Sequence, residues 1–328
     1  MAVSMKAVVI HQAGGPEVLK TERRPVPEPK KGEVLIAVRA FGLNRSELFT
    51  RQGHSPVSAV RFPRIPGIEA VGEVVVAPGG EFTPGDTIAT AMGGMGRAFD
   101  GSYAEFTCVP VGQVKKLETG LSWEVLGALP EMLQTAWGSL FTSLRLKNGQ
   151  RLLIRGGTTS VGLAAAAIAK SHGAIVAATT RKPDRETLLR GNGADQVFVD
   201  TGEIQGQVRE VFPCGVDCVL ELVGTATLLD SLQCARPGGI VCMTGMVGDK
   251  WRFDDFSPMG AIPTAVSLTT YAGGDQDFMR TPLQELIEQV ERGDLSPKIG
   301  ATFPLDDIVD AHRCMEENRA GGKIVVLT

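Results

Sequence analysis

One stretch of the 328-residue chain reads Leu152-Leu153-Ile154-Arg155-Gly156-Gly157-Thr158-Thr159-Ser160-Val161-Gly162-Leu163. A short apolar run ends before the glycines, and an Ala-rich helical pattern begins after Thr159. A glycine-rich turn between a strand and a helix is where a dinucleotide-binding fingerprint lies. Aligned with Gly-x-Gly-x-x-Gly, the first, middle and last positions are Gly157, Thr159 and Gly162.

These three positions are expected to do different things. Gly157 permits the tight turn, and Gly162 lets the helix pack closely on the strand. Thr159 should keep a bound pyrophosphate farther out. Amides and hydroxyls near the helix N-terminus, at Ser160 and Val161, would then interact with the negative charge of the pyrophosphate.

Strand and helix patterns alternate on both sides of this turn. The strands with their following helices are Leu152–Ile154 with Val161–His172, Ile175–Thr179 with Asp184–Asn192, Gln196–Val199 with Ile204–Phe212, Cys218–Leu222 with Thr225–Cys234, and a closing strand Ile240–Thr244. Such alternation predicts a parallel sheet covered by helices on both faces.

The two ends of the chain lack this regular alternation of strands and helices. Short extended pieces bounded by Gly and Pro fill the first third, and the tail carries helices near Pro282–Arg292 and Asp306–Glu317 and a last strand, Ile324–Leu327. We therefore predict an α/β fold in which a Rossmann doubly wound parallel sheet, residues 127–268, is inserted in a β-rich substrate domain, residues 1–126 and 269–328.

The end of the second strand bears on the choice of nucleotide. NAD sites usually place an acid about 20 residues beyond the fingerprint, whereas a 2′-phosphate requires Arg or Lys there. The chain has Thr180, Arg181, Lys182 and Arg185, with no acid before Asp184. The sequence therefore favours NADPH, with these four residues around the phosphate.

Composition excludes several classes of protein. Lys and Arg total 33 and Asp and Glu total 37, a net charge of −4 that argues against nucleic acid. The longest apolar run, Val161–Ala169, is far shorter than the ~20 residues of a membrane span. No export signal is visible, and the six cysteines include no Cys-x-x-Cys pair, so we expect a cytoplasmic protein with reduced thiols.

Several motifs occur in the order found in one superfamily. They are Met5-Lys6-Ala7-Val8-Val9, Gly42-Leu43-Asn44-Arg45-Ser46-Glu47, Pro66-Gly67-Ile68-Glu69-Ala70-Val71-Gly72, Gly101-Ser102-Tyr103-Ala104-Glu105-Phe106, the fingerprint, Arg236-Pro237-Gly238-Gly239-Ile240-Val241 and Gly322-Lys323-Ile324-Val325-Val326. Over its full length the chain resembles the medium-chain dehydrogenase/reductase superfamily, which implies a GroES-like β-rich domain and a homodimer.

The resemblance also allows the zinc ligands of the alcohol-oxidising members to be checked. Their Cys, His and third ligand are replaced by Asn44, by Ile68 and near Met132. Asn, Ile and Met do not make a zinc site. The chain is thus similar to the zinc-free NADPH:quinone oxidoreductase (zeta-crystallin-like) branch, and we expect no metal.

Further site residues follow from the resemblance by matching position. It implies that Asn44 lies beside the nicotinamide with Thr135 near it, and that other cofactor contacts are Val223, Gly245, Met246, Val247, Tyr271 and Lys323. No Tyr follows Asn44 closely, and His54 is the nearby group that titrates near neutrality, so it is a candidate proton donor.

Without a Lewis acid, hydride transfer requires an acceptor that is already electrophilic. We expect an NADPH-dependent reductase of a small-molecule quinone. Two alternatives remain open: reduction of the C=C bond in enals, enones or enoyl thioesters, and an NADPH-binding protein with little turnover. The acceptor pocket depends on the loops Gln52–Arg64 and Met246–Met259.

Overall fold

The structure is a computed structural model that describes residues 3–55, 60–248, 250 and 252–328. Residues 56–59, 249 and 251, which belong to the two loops expected to shape the acceptor pocket, lie outside the described residues. The chain forms two compact units, one of residues 1–131, 273–291 and 297–328 and the other of residues 132–272 and 292–296. Residues 127–131 thus belong to the first unit, and residues 269–272 and 292–296 to the second.

The strands are β1 (Ser4–Ile10), β2 (Leu19–Pro25), β3 (Glu33–Gly42), β4 (Glu69–Val76), β5 (Thr87–Ala91), β6 (Phe106–Pro110), β7 (Val114–Lys116), β8 (Arg151–Arg155), β9 (Ile175–Thr180), β10 (Gln196–Val199), β11 (Val216–Glu221), β12 (Ala235–Met243), β13 (Ser267–Thr270), β14 (Ile299–Pro304) and β15 (Lys323–Leu327). The helices are α1 (Arg45–Arg51), α2 (Trp123–Leu126), α3 (Pro130–Gly138), α4 (Ser160–Ser171), α5 (Glu186–Gly191), α6 (Gln205–Val211), α7 (Thr225–Cys234), α8 (Pro258–Ala261), α9 (Asp275–Arg280), α10 (Leu283–Arg292) and α11 (Ile308–Glu316).

The first unit is built on a mixed β-sheet. Its strand order is β14-β15-β3-β4-β5-β7, with β6 also paired to β3. The late strand β15 lies between β14, to which it runs parallel, and β3, to which it runs antiparallel. Apolar side chains of β1, β3 and β15 form one buried core, in which the rings of Phe41 and Tyr103 stack at 4.6 Å.

The second unit holds a parallel sheet in the order β10-β9-β8-β11-β12-β13. Each pairing between these neighbours is parallel. Because the chain moves outward from β8 to β10 and then restarts at β11 on the other side of β8, the crossover helices cover opposite faces. The predicted α/β fold class is confirmed. The order reverses between β8 and β11, and ligands of such sheets bind outside the strand carboxyl ends at this point.

The segment from Trp123 to about Leu144 has a helical pattern in the sequence but does not form one continuous helix. Helix α2 ends at Leu126, α3 begins at Pro130, and a π-helical turn follows over Ser139–Ser143. Proline lacks an amide hydrogen and fits the first turn of a helix, so α3 begins at Pro130. No helix in the described ranges combines the length and apolar composition needed to cross a bilayer.

Candidate active site

The glycine-rich turn after β8 has the geometry of a phosphate-binding loop. Gly156 has φ of +83°, so this residue, and not Gly157 as expected, makes the tight turn. A β-carbon at Gly157 would lie 2.9 Å from Ala178 Cβ, and one at Gly162 would lie 2.7 Å from the Gly156 carbonyl oxygen. Both glycines are therefore required by close packing of the loop on the sheet and of α4 on the loop.

Thr159 is the N-cap of α4. Its hydroxyl accepts a hydrogen bond from Gly162 N–H at 3.0 Å and donates one to the Gly156 carbonyl oxygen at 2.9 Å. The side chain thus fixes the loop from within, which the pattern Gly-x-Thr-x-x-Gly did not indicate. Ser160 and Val161 occupy the first turn of α4, where backbone N–H groups have no partner within the helix.

Three cations follow β9. Arg181 and Lys182 are exposed and Arg185 is half-buried, and in the described part of the chain none of them forms an ion pair. Thr180 is buried, and its hydroxyl closes a turn by bonding both the carbonyl oxygen and the amide of Lys182 at 3.1 Å. The end of β9 therefore presents positive charge that the fold itself does not neutralise.

The segments after β11 and β12 meet beside this loop. A β-carbon at Gly156 would lie 3.4 Å from Val223 Cγ2, and the Val247 amide donates to the Leu222 carbonyl oxygen at 3.2 Å. Gly245 lies so close to β11 that a β-carbon there would be 2.4 Å from that same oxygen. The structure thus places Val223 and residues 245–247 at the switch point of the sheet.

Tyr271 packs on α3. A β-carbon at Gly138 would lie 2.1 Å from the Tyr271 hydroxyl oxygen, and this hydroxyl donates to the Gln134 carbonyl oxygen at 3.4 Å. Thr135, which is half-buried, follows Gln134 in the same helix. Helix α3 of the second unit therefore contains Thr135 and packs against Tyr271.

In the first unit, Asn44 is held by charged groups. Its Nδ2 donates to Glu69 Oε1 at 2.8 Å and, at 3.3 Å, to the Gly42 carbonyl oxygen, while its Oδ1 accepts from Lys323 Nζ at 2.6 Å. Lys323 Nζ also lies 2.9 Å from Glu69 Oε1 and 3.6 Å from a carboxylate oxygen of Glu131. Asn44 is 8 % exposed, so its amide orientation is fixed in a largely dry environment.

Buried charges account for the titration behaviour of this cluster. Burial raises the pKa of Glu69, and the Lys323 ammonium opposes that shift. Burial would lower the pKa of Lys323, but Glu69 and Glu131 outweigh it and hold that pKa above its ordinary value. Lys323 therefore stays protonated. We predicted Lys323 as a cofactor contact, but its ammonium is directed to Asn44 and Glu69.

Sequence reasoning missed Glu47, which lies in α1. Its carboxylate accepts the Asn44 amide at 2.7 Å and the Ile68 amide at 2.8 Å, and burial raises its pKa to about 7. The pattern Asn44-x-x-Glu47, which is that of a capping box, could have revealed it. Glu47 ties the start of α1 to the segment preceding β4.

His54 does not join this cluster. It is exposed, and its imidazole has no hydrogen bond or ion pair with any residue in the described ranges. The buried histidine of this unit is His312, whose Nε2 lies 2.9 Å from the Tyr103 hydroxyl. Its complete burial lowers its pKa to about 3, so it is neutral.

Ile68, at a position where zinc-dependent relatives have a ligand, is buried and apolar, as is Met132. Among the residues that the structure describes, no group of three or more His, Cys, Asp and Glu side chains could hold a metal ion. In addition, the one oxygen that the Asn44 side chain offers already accepts from the Lys323 ammonium. The side chains of this cluster do not fit zinc.

Comparison with known proteins places the chain in a family. Residues 30–119 match the family Alcohol dehydrogenase GroES-like domain, and residues 192–326 match the family Zinc-binding dehydrogenase. The quinone oxidoreductase of Lama guanicoe is 30% identical over 336 residues, which cover 98% of this chain and 97% of that protein.

Two solved structures are similar over 99% of this chain and 100% of theirs. One, a mycobacterial protein complexed with NADPH, has a TM-score of 0.87 and 26% identity. The other, an NAD-dependent alcohol dehydrogenase, has a TM-score of 0.86 and 27% identity. The chain belongs to the medium-chain dehydrogenase/reductase superfamily. Within it, the chain is an oxidoreductase of the quinone oxidoreductase-like type.

Proposed function

We propose that this protein is a zinc-independent, NADPH-dependent reductase that transfers hydride to a quinone. The observation that carries the proposal is the bonding of Asn44 between Lys323 and Glu69. Zinc-dependent members of the superfamily have a thiolate ligand at this position, whereas here an amide is held by an ammonium ion that would repel a dication. No step of the reaction is therefore assigned to a metal.

The loop and the end of β9 fit NADPH. Because Gly157 and Gly162 have no β-carbon, the backbone can form the compact turn that a pyrophosphate needs. The first backbone amides of α4, at Ser160 and Val161, are suited to bind the pyrophosphate. Arg181, Lys182 and Arg185 would bind the 2′-phosphate, because an unpaired guanidinium or ammonium is a strong partner for a doubly charged phosphate.

The nicotinamide end is proposed to contact residues of the second unit. These are Val223, Gly245, Met246, Val247, Tyr271 and Thr135. When bound, NADPH supplies the hydride, and the protein supplies alignment and a dry environment. Asn44 is proposed to lie beside the nicotinamide, and Lys323 and Glu69 are positioning residues that fix the direction of its amide.

A quinone is the acceptor class that this arrangement suits. A bound metal would lower the pKa of an alcohol hydroxyl, and because the side chains around Asn44 do not fit one, oxidation of an unactivated alcohol is disfavoured. A quinone is already electrophilic, and one hydride and one proton convert it to the hydroquinone. The similarity to quinone oxidoreductases over the full chain supports the same class.

The test is oxidation of NADPH, with NADH in parallel, by metal-free protein in the presence of ortho- and para-quinones, enals and enones. Turnover of quinones with a preference for NADPH is the expected result. Turnover of the enals or enones alone would replace the proposal with a C=C reductase. Tight NADPH binding without turnover of any acceptor would show a binding protein.

A charge reversal tests the phosphate site separately. Arg181→Asp should weaken NADPH binding much more than NADH binding, because it removes a phosphate partner and adds a repelling charge. Lys31→Asp, on an exposed cation of the first unit, is the matched control and should change neither. Equal losses for the two cofactors in Arg181→Asp would show that the 2′-phosphate lies elsewhere.

A further inference from the structure

Arg155 ends β8 immediately before the phosphate-binding loop, yet its side chain is fully buried. Its Nε and Nη2 donate to the two carboxylate oxygens of Asp200 at 2.7 and 2.9 Å, and Nη2 also donates to the Gly202 carbonyl oxygen at 2.7 Å. Nη1 donates to Asp230. A buried bidentate ion pair therefore lies at the carboxyl edge of the sheet.

Asp200 lies next to the proposed 2′-phosphate site. It follows β10, the neighbour of β9, and its amide donates to the Thr180 carbonyl oxygen at 2.8 Å. Its Oδ2 also accepts from the Thr179 hydroxyl at 3.3 Å. A carboxylate at this edge repels a phosphate dianion, as the acid of an NAD-type site does.

The two carboxylates around Arg155 differ in their other partners. Asp230 also accepts the amides of Ile204 and Gln205, at the start of α6, at 3.0 and 3.2 Å. Asp200 has the Gly202 amide at 3.0 Å and the Thr179 hydroxyl, but Arg155 is the cation that forms an ion pair with it. Burial alone would raise the pKa of Asp200, but Arg155 outweighs it and holds that pKa below its ordinary value. Asp200 therefore stays ionised.

We infer that Arg155 is a specificity-determining residue that favours NADPH over NADH by neutralising Asp200 beneath the 2′-phosphate site. The inference rests on the proposed use of NADPH. Arg155 does not contact the nucleotide in this scheme. It acts through the charge of Asp200, and Arg181, Lys182 and Arg185 are the direct phosphate partners.

The test measures dissociation constants for NADPH and NADH in charge-changing variants and compares their ratio with that of the wild-type protein. Arg155→Gln should lower the preference for NADPH about tenfold, because Asp200 then repels the added phosphate. Asp200→Asn should raise the preference several-fold. Combining the two substitutions should return the ratio close to the wild-type value.

A matched control lies elsewhere in the second unit. Arg236 Nε donates to Asp217 Oδ1 at 2.6 Å near the beginning of β11, at the amino ends of the strands and not at their carboxyl ends. Arg236→Gln should leave the ratio unchanged. A purely structural role for Arg155 would weaken both cofactors equally in Arg155→Gln, and that result would overturn the inference.

Asp200→Asn keeps the test decisive if Arg155→Gln does not fold. It retains the guanidinium, which still bonds Asp230 and Gly202. An unchanged ratio in Asp200→Asn would refute the inference. A wild-type protein without a preference for NADPH would instead overturn the proposed cofactor, while the direction of change in the variants would still decide the role of Arg155.

Discussion

Replacing Lys323 by Met removes the cation from the buried cluster around Asn44. Lys323 is 3 % and Glu69 0 % exposed, and their charged atoms are 2.9 Å apart. Removing one partner from a buried pair leaves the other charge uncompensated, and at this depth we expect the free energy of unfolding to fall by about 4 kcal/mol. Asn44 Oδ1 also loses its donor.

The loss should depend on pH in a defined direction. Burial already raises the pKa of Glu69, and the Lys323 ammonium opposes that shift. In Lys323→Met the pKa of Glu69 therefore rises further. As the pH falls through this pKa, Glu69 takes up a proton and the uncompensated charge disappears. The destabilisation should be larger near about pH 8 than near about pH 5.

Urea unfolding followed by circular dichroism measures the effect. Lys323→Met combined with Glu69→Gln should recover about 2 kcal/mol or more of the loss, because the fully buried side chain at position 69 then carries no charge that needs the Lys323 ammonium. Lys31→Met, on an exposed side chain, is the control and should change little. A loss below about 1 kcal/mol at both pH values, or no recovery in the double variant, would refute the reasoning.

Three further outcomes are expected. The pKa of His312 is lowered by burial to about 3 from 6.5, so its contribution to stability is complete above pH 6.5 and is lost as the pH falls towards 3, by up to about 5 kcal/mol. His312→Gln should therefore flatten the acid side of a stability profile from urea unfolding, and parallel profiles would contradict this. Gly162→Ala should lower the free energy of unfolding by about 1–3 kcal/mol and weaken binding of both cofactors, since its β-carbon meets the Gly156 carbonyl oxygen at 2.7 Å; wild-type values in fluorescence titration and urea unfolding would show that the loop yields. Metal analysis of protein purified without chelators should find well below one zinc per chain, and stoichiometric zinc would disprove the interpretation of Asn44.

The fold was predictable because its signals are local. The alternation of apolar strands with helical patterns, and Gly162 in its strand-to-helix turn, fixed the class of the second unit within short windows of sequence. Strand β14 and helix α1 escaped notice. In β14 every second residue is exposed and the others are only half-buried, so its apolar signal is weak. Helix α1 has only 7 residues and too few turns for a helical period to show.

The candidate site was predictable only where a motif spans adjacent positions. Lys323 and Asn44 are 279 positions apart, and the ion pair of Arg155 with Asp200 spans 45. Hydrophobic periodicity in the sequence does not predict a contact between such distant side chains. A charged residue beside an apolar run is usually solvated rather than buried. His312 was missed for the same reason, since its partner Tyr103 comes from a distant strand connection.

The position of β15 in the first unit sets an order of events during synthesis. This strand lies between β14 and β3 in the sheet, and it carries Lys323 at its first position. All strands of the Rossmann sheet, from β8 to β13, leave the ribosome earlier as one continuous segment. Because domains fold as units during translation, the Rossmann sheet can form while the end of β3 still lacks β15. A nascent chain stalled after Thr270 would thus leave Ala40–Gly42 of β3 without the partner strand β15, and chaperone dependence would be expected in this first unit.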